Sequence, residues 1–287
     1  MGIGEGSGQN FRVGQGINVS IVLKNLGLDS MALGFAAGFT GRELLRRLKE
    51  FGCQEDFIPL EGVSRINVKI KGETETDING QGPAIPPEAL RHLMGKLEVL
   101  GKDDVLVLAG SIPDTLPEDV YERILAGLQG RGVRVVVDAT RDLLKNVLPY
   151  HPFLIKPNHH ELGELFGREL HTAEEITVCA KKLQEQGARN VLVSMAGDGA
   201  LLVTEEGETL CSPAPKGRTV NAVGAGDSMV AGFLYGYLTT GRYDEAFRMG
   251  LCAGSATAFQ PWLATRCQIE QVAADFERDK PTGKEGL

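Results

Sequence analysis

The strands of this chain are runs of consecutive apolar residues, and that feature restricts its fold more than any other. Val105–Ala109 reads VLVLA, 133–137 carries four valines around one arginine, 153–155 reads FLI and 191–194 reads VLVS. A strand with one wet face alternates apolar and polar residues. A continuous run needs cover on both faces, which is the condition of a parallel sheet held between two helical layers. Helical patterns over 88–100, 118–130 and 172–187 separate the runs, so the rhythm is βαβα. Before them come an apolar helix from Gly16 to Leu26 stopped by Gly27, a short strand over 31–36, and a charged amphipathic helix over 41–50. After them come a hairpin over 200–211 and helices near 225–239, 243–260 and 268–277.

Residues 57–80 have a different character. RINVKI (65–70) and ETDIN (75–79) flank a Lys-Gly-Glu turn and alternate like a β-hairpin, a small lid for the open end of the sheet. The expected organisation is a Gly-rich flexible arm over 1–12, one α/β domain over 13–280 with lid elements around 57–80, and a tail over 281–287. A formal net charge of −8 argues against the basic footprint of a nucleic-acid-binding surface. It leaves anionic small molecules open, because a few cations in one cleft set the local field. The five cysteines form no CxxC pair, and no apolar run reaches the ~18 residues of a membrane span. The chain reads as cytoplasmic, with no membrane partner.

Three segments carry chemistry. In VGAGDS (223–228), small residues open a helix, where exposed N–H groups and close approach favour an anion. Asp227 in that first turn is either a dipole-complementing acid or a general base, with Gly224, Ala225 and Gly226 holding developing phosphate charge. In KPNHHE (156–161), behind a buried strand, Asn158 and Glu161 suit a Mg²⁺–water cluster, a helix capping box, or both. His159 and His160 are adjacent on a helix start and do not face one metal site. In SMAGDGA (194–200), a strand runs into a Gly-rich turn that suits nucleotide phosphates or a plain hairpin. There is no GxxxxGK[ST], which excludes a P-loop, and no G-x-G-x-x-G with a following acid.

Together with LAGSIP (108–113), GINVS (16–20) and GSATAF (254–259), these segments resemble the ribokinase-like (PfkB) carbohydrate kinases over about 14–275. Within that family they are most similar to the 1-phosphofructokinase and tagatose-6-phosphate kinase group. The resemblance implies a three-layer α/β sandwich with a mostly parallel sheet and a β lid. It implies ATP-dependent phosphoryl transfer to a phosphorylated ketohexose, fructose 1-phosphate above tagatose 6-phosphate, with ATP and Mg²⁺. By resemblance Asp227 is the base and Gly224–Gly226 the anion hole, and Lys156, Asn158, Ser194, Gly197, Gly199, Ser255 and Ala258 serve ATP. Glu161 supports Mg²⁺ through water, Gly16 and Asn18 meet the sugar hydroxyls, and Arg65 and Ser111 meet the substrate phosphate. Lids of this family often form a dimer contact, so a homodimer is expected.

Two departures from the family pattern are visible. The family opens with a strand ending in N-P-x-x-D, and nothing before Phe11 matches it. Gln15 stands where close relatives carry Lys. The fold is therefore expected to lack its opening strand, and a relative that binds nucleotide without turning over sugar is the alternative.

Overall fold

A computed structural model of the chain describes residues 15–71, 75–110, 112–113, 115–139 and 141–279. The expected arm, the tail and Ser111 lie outside these residues. The chain enters through helix α1 (Gln15–Leu26), strand β1 (Met31–Ala37), helix α2 (Gly38–Glu50) and strand β2 (Gln54–Leu60). A hairpin of β3 (Asn67–Lys71) and β4 (Glu75–Asn79) follows, then α3 (Pro87–Leu97). The βαβ region comprises β5 (Val105–Ala109), α4 (Val120–Leu128), β6 (Arg134–Asp138), α5 (Arg141–Val147) and β7 (Leu154–Ile155). It continues through α6 (His159–Leu165), α7 (Ala173–Glu185), β8 (Asn190–Ser194), β9 (Ala200–Val203) and β10 (Thr209–Ser212). The helices α8 (Ala225–Thr240), α9 (Tyr243–Ala258) and α10 (Arg266–Asp279) close the chain.

Strands β5 to β10 form one six-stranded sheet in the order β10-β9-β8-β7-β6-β5. Its first four strands in chain order pair in parallel, while β9 and β10 are antiparallel additions. The continuous apolar runs are explained by where alternate residues go. Val136, Leu154, Leu192 and Leu202 enter a core shared with α1, α8 and α9. Val135, Val137, Ile155, Val191, Val193 and Leu201 enter a second core shared with α4, α5 and α7. Each such side chain, fully buried, contributes about 1.5–3 kcal/mol before entropy is charged against it. Two helical layers around a mostly parallel sheet are thus the direct outcome of strands that are apolar on both faces.

The first strands are organised differently. β1 pairs in parallel with β2 alone, as a separate two-stranded sheet. Yet β1 obeys the same alternation: Ala32 joins the core of Val105 and Val107, and Leu33 packs with the core of Leu106 and Leu108. β1 and β5 therefore lie in one layer without hydrogen-bonding to each other, and the expectation about an opening strand falls on residues before Gln15, outside the described ones.

The hairpin forms as a third, two-stranded antiparallel unit, with Asn67 opposite Asn79. It starts later than the sequence suggested. Phe57–Leu60 belongs to β2 and pairs with Gly34–Ala37, so the hairpin itself occupies 67–79. β2 pairs only with β1, and its residues alternate in exposure from Gln54 to Phe57, which reads from sequence like the arm of a hairpin. No helix among the described residues is long and apolar enough to cross a membrane.

Candidate active site

The C-terminal ends of β6, β7 and β8 meet the N-terminal turns of α1 and α8, and the polar residues collect there. α8 begins at Ala225 behind Gly224, which has φ +82. That left-handed conformation favours glycine, and a Cβ there would also lie 2.7 Å from Leu263. Once the chain has turned, Ala225 N–H bonds Ala222 O and Ser228 N–H bonds Gly224 O. The N–H groups of Gly226 and Asp227 find no acceptor among the described residues, as the first turn of a helix requires, and are the donors of the expected anion cradle. Lys156 sits against it: a Cβ on Gly226 would come within 3.2 Å of Lys156 Nζ.

Asp227 is buried, with 5% of its surface exposed. Burial pushes its carboxyl up to about 7. Asn18 and the Lys156 ammonium act against that shift, while the negative charge of Asp138 adds to it. The Nδ2 of buried Asn18, on α1, donates to Asp227 Oδ2 at 2.8 Å. The expected sugar-side residue thus directly orients the expected base. Gly16, two residues earlier on α1, would meet nothing within 4 Å of an added Cβ.

The KPNHHE segment leaves β7 and enters α6 through a capping box. Asn158 Oδ1 accepts from Glu161 N–H and Glu161 Oε2 accepts from Asn158 N–H, each at 2.8 Å. The cap leaves Glu161 Oε1 for other work. Among the described residues no group of three or more His, Cys, Asp or Glu forms a metal cage. That donor set fits Mg²⁺ held through water and nucleotide phosphates, since Mg²⁺ keeps several of its waters. Asn158 also bridges in parallel to Ser194 at the end of β8, which brings the KPN turn beside the SMAGDG turn. Gly197 is exposed on that turn, and Gly199 closes it, its O accepting from Met195 N–H at 2.8 Å.

Ser255 and Ala258 lie in the last turns of α9. Ala258 O accepts from Val220 and Asn221 N–H groups, which ties that helix end to the approach to α8. Arg65 is exposed in the segment between β2 and β3, and no contact among the described residues joins it to the cluster. Ser111 lies outside the described residues.

Three residues were missed by sequence reasoning. Asp138, the last residue of β6, has Oδ1 3.2 Å from Lys156 Nζ. Thr257, fully buried on α9, shares a 2.7 Å hydroxyl contact with Ser228 and so braces the start of α8. Tyr121, on α4, donates to Gly110 O at the exit of β5, and burial with help from Asp138 pushes its phenol up to about 12. The position of Asp138 after a run of valines, at the carboxyl end of a parallel strand, was a usable signal.

A family model, that of the pfkB family carbohydrate kinases, matches residues 5–267. The chain belongs to the pfkB family of carbohydrate kinases. It is 48% identical over 264 residues to 1-phosphofructokinase of Bacillus subtilis, a match that spans 92% of this chain and 87% of that protein. D-tagatose-1-phosphate kinase of Bacillus licheniformis is 37% identical and covers 92% of this chain and 87% of its own length. Among solved structures, a putative phosphofructokinase from Staphylococcus aureus superposes with a TM-score of 0.84 at 39% identity, covering 92% of this chain and 86% of that one. In this pfkB kinase the cluster at α8 sets a buried carboxylate of raised pKa beside the unpaired N–H groups of a helix N-terminus.

Proposed function

We propose that this kinase transfers the terminal phosphoryl group of ATP to the free primary hydroxyl of fructose 1-phosphate, giving fructose 1,6-bisphosphate. The observation that carries the reading is Asp227: buried, raised to about 7, bonded by Asn18, and standing in the first turn of α8 behind the Gly224–Gly226 cradle. A base with that affinity for protons accepts one from an attacking hydroxyl near neutral pH, and its burial keeps the carboxyl away from bulk water. The N–H groups of Gly226 and Asp227 and the Lys156 ammonium meet the charge on the transferring group. Because these groups are already in place, little reorganisation is needed as charge develops. Asn158, Ser194, Gly197, Gly199, Ser255 and Ala258 are assigned to the nucleotide side, and Gly16, Asn18, Arg65 and Ser111 to the sugar phosphate. Glu161 would hold Mg²⁺ through water; the ion, when bound, neutralises phosphate charge.

Similarity to the 1-phosphofructokinase of B. subtilis supports fructose 1-phosphate over other ketohexose phosphates. A tagatose phosphate is the second reading, supported by the D-tagatose-1-phosphate kinase relative. We assign residues 13–280 to one kinase unit. Phe39, Val63, Ile66 and Ile78 are exposed apolar residues at the base of the hairpin and on it, which supports a homodimer formed through the lid. The test is ADP release with MgATP and fructose 1-phosphate, beside tagatose 1-phosphate, tagatose 6-phosphate and fructose 6-phosphate, with Asp227→Ala as control. Fructose 1-phosphate is expected to give the highest kcat/KM and the control none. Preference for a tagatose phosphate would transfer the assignment to the second reading. Sedimentation of the same sample, with Ile66→Asp beside it, reads the dimer.

A further inference from the structure

Lys156 is an unusual cation. Its side chain is 7% exposed, and lysines are buried almost only when a counter-charge accompanies them. Two carboxylates stand near it. One, Asp138 at the end of β6, takes it in an ion pair of 3.2 Å. The other, Asp227 on α8, forms no ion pair with it and instead accepts the Asn18 amide at 2.8 Å. The charged and polar groups facing Asp227 are therefore Asn18 from α1, Lys156 from the turn after β7, and Asp138 from β6. Lys156 Nζ lies against Gly226, within 3.2 Å of where a Cβ would be, so the ammonium borders the cradle.

This division of partners has a chemical consequence. An ammonium paired with Asp227 would neutralise the carboxylate that must accept a proton, and would leave the cradle without its cation. Pairing with Asp138 avoids both losses. Asp138 keeps 20% of its side chain exposed, so its charge is less costly to hold than one on Asp227.

We propose that Asp138 is a positioning residue: its ion pair holds the Lys156 ammonium at the Gly226 cradle and off the Asp227 carboxylate. This deepens the kinase reading and rests on it for its effect on rate. Asp138→Asn keeps the shape and removes the charge. Lys156 then turns to the remaining carboxylate, and Asp227 loses a repelling neighbour and gains an attracting one. Both changes make it a weaker base.

The test is the pH profile of kcat and kcat/KM for the parent, D138N and D138E with MgATP and fructose 1-phosphate, with a Mg²⁺ titration at each variant's optimum. In D138N, kcat is expected to fall about 30-fold with little change in the KM for sugar, a loss within the usual range for a weakened acid–base group. The acid limb should move to lower pH by about one unit, because the base now ionises more readily. D138E restores the charge and should return the limb towards the parent position. A limb that stays in place in D138N overturns the proposal, whatever happens to the rate. A raised Mg²⁺ requirement as the sole change also overturns it, because Asp138 would then act on the metal. The Asp227 carboxyl can be titrated by ¹³C NMR in parent, D138N and D138E without any turnover. An inactive parent would therefore sink the kinase reading, while the NMR shift still decides whether Asp138 governs Asp227 through Lys156.

Discussion

The six-stranded sheet and the β1–β2 pair are made of similar residues, yet they are built to different depths. In β8, Val191, Leu192 and Val193 are at most 1% exposed, sandwiched between two large cores. In β1, Leu33, Gly34 and Phe35 are only half-buried and Met31 is 51% exposed. Beneath β2 lies a small third core whose buried members are Ile58, Ile85 and Ala89. The site divides along the same line. Asp138, Lys156, Asn158, Ser194, Gly226 and Asp227 are linked to one another at the ends of the large sheet. Arg65 and the hairpin extend from the small one. Asn18 joins the halves, because α1 packs on both sheets and places its amide on Asp227. Phosphoryl transfer tolerates little misplacement, so its groups belong on the rigid half. If the hairpin recognises the sugar phosphate as proposed, it does so from the looser half.

The comparison is broken most severely at Asp227. Asp227→Asn is expected to lower kcat about 10³-fold while MgATP still raises the melting temperature, because only the proton acceptor is lost. The same variant has a pH signature in stability. The carboxyl titrates at 3.8 in a reference peptide and at about 7 in the fold, so between those values the native state binds more protons than the unfolded chain. Stability contributed by the protonated native group is then present below pH ~4 and lost as pH rises through about 7. Removing the titration should stabilise D227N over the parent at pH 8, by at most about 4 kcal/mol, and leave them close at pH 4. Thermal melts at the two values check the sign; equal gains at both would mean that burial does not govern this carboxyl.

Next in size are two substitutions, one on each half. Gly226→Ala puts a methyl into the cradle beside Lys156 and should lower kcat about 10²-fold, the usual cost of losing one anion-stabilising contact. Arg65→Ala removes an exposed side chain, so the melting temperature should hold while the KM for sugar phosphate rises roughly 10-fold or more, with the KM for ATP unchanged. If Arg65→Ala lowers kcat as well, the segment leading into the hairpin takes part in assembling the rigid half, and the division between them fails.

Most of the large sheet was legible, because a strand covered on both faces records that fact in every residue. The KPNHHE cap was legible too, since Asn158 and Glu161 sit at the spacing a capping box uses. The small sheet was harder. Gln54–Leu60 alternates as an edge strand and as a hairpin arm alike, and only its parallel pairing with Met31–Ala37 distinguishes them. The site was legible where one segment supplies its own neighbours, as in Gly224–Asp227. It was not legible where the neighbour is remote. Asn18 lies 209 residues from the carboxylate it orients, and its partner follows only from α1 packing on α8. Asp138 carried a positional signal at the carboxyl end of a parallel strand, but its partner Lys156 lies one strand away and could not be read from it.

The smallest effect sharpens the picture within the rigid half, where Asn158 has two tasks at once. Its side chain caps α6, and its place beside Ser194 supports the proposed nucleotide role. Asp and Asn are about equal as N-caps, whereas Ala forfeits the cap at a cost of ~1 kcal/mol. Asn158→Asp should therefore keep the melting temperature of the parent while adding a negative charge where phosphates approach. Asn158→Ala should lower the melting temperature by a few degrees without that repulsion. If the nucleotide assignment holds, the KM for ATP rises several-fold in N158D and less in N158A, the reverse of their order in stability. A KM for ATP that follows the melting temperature instead would leave Asn158 as a helix cap alone.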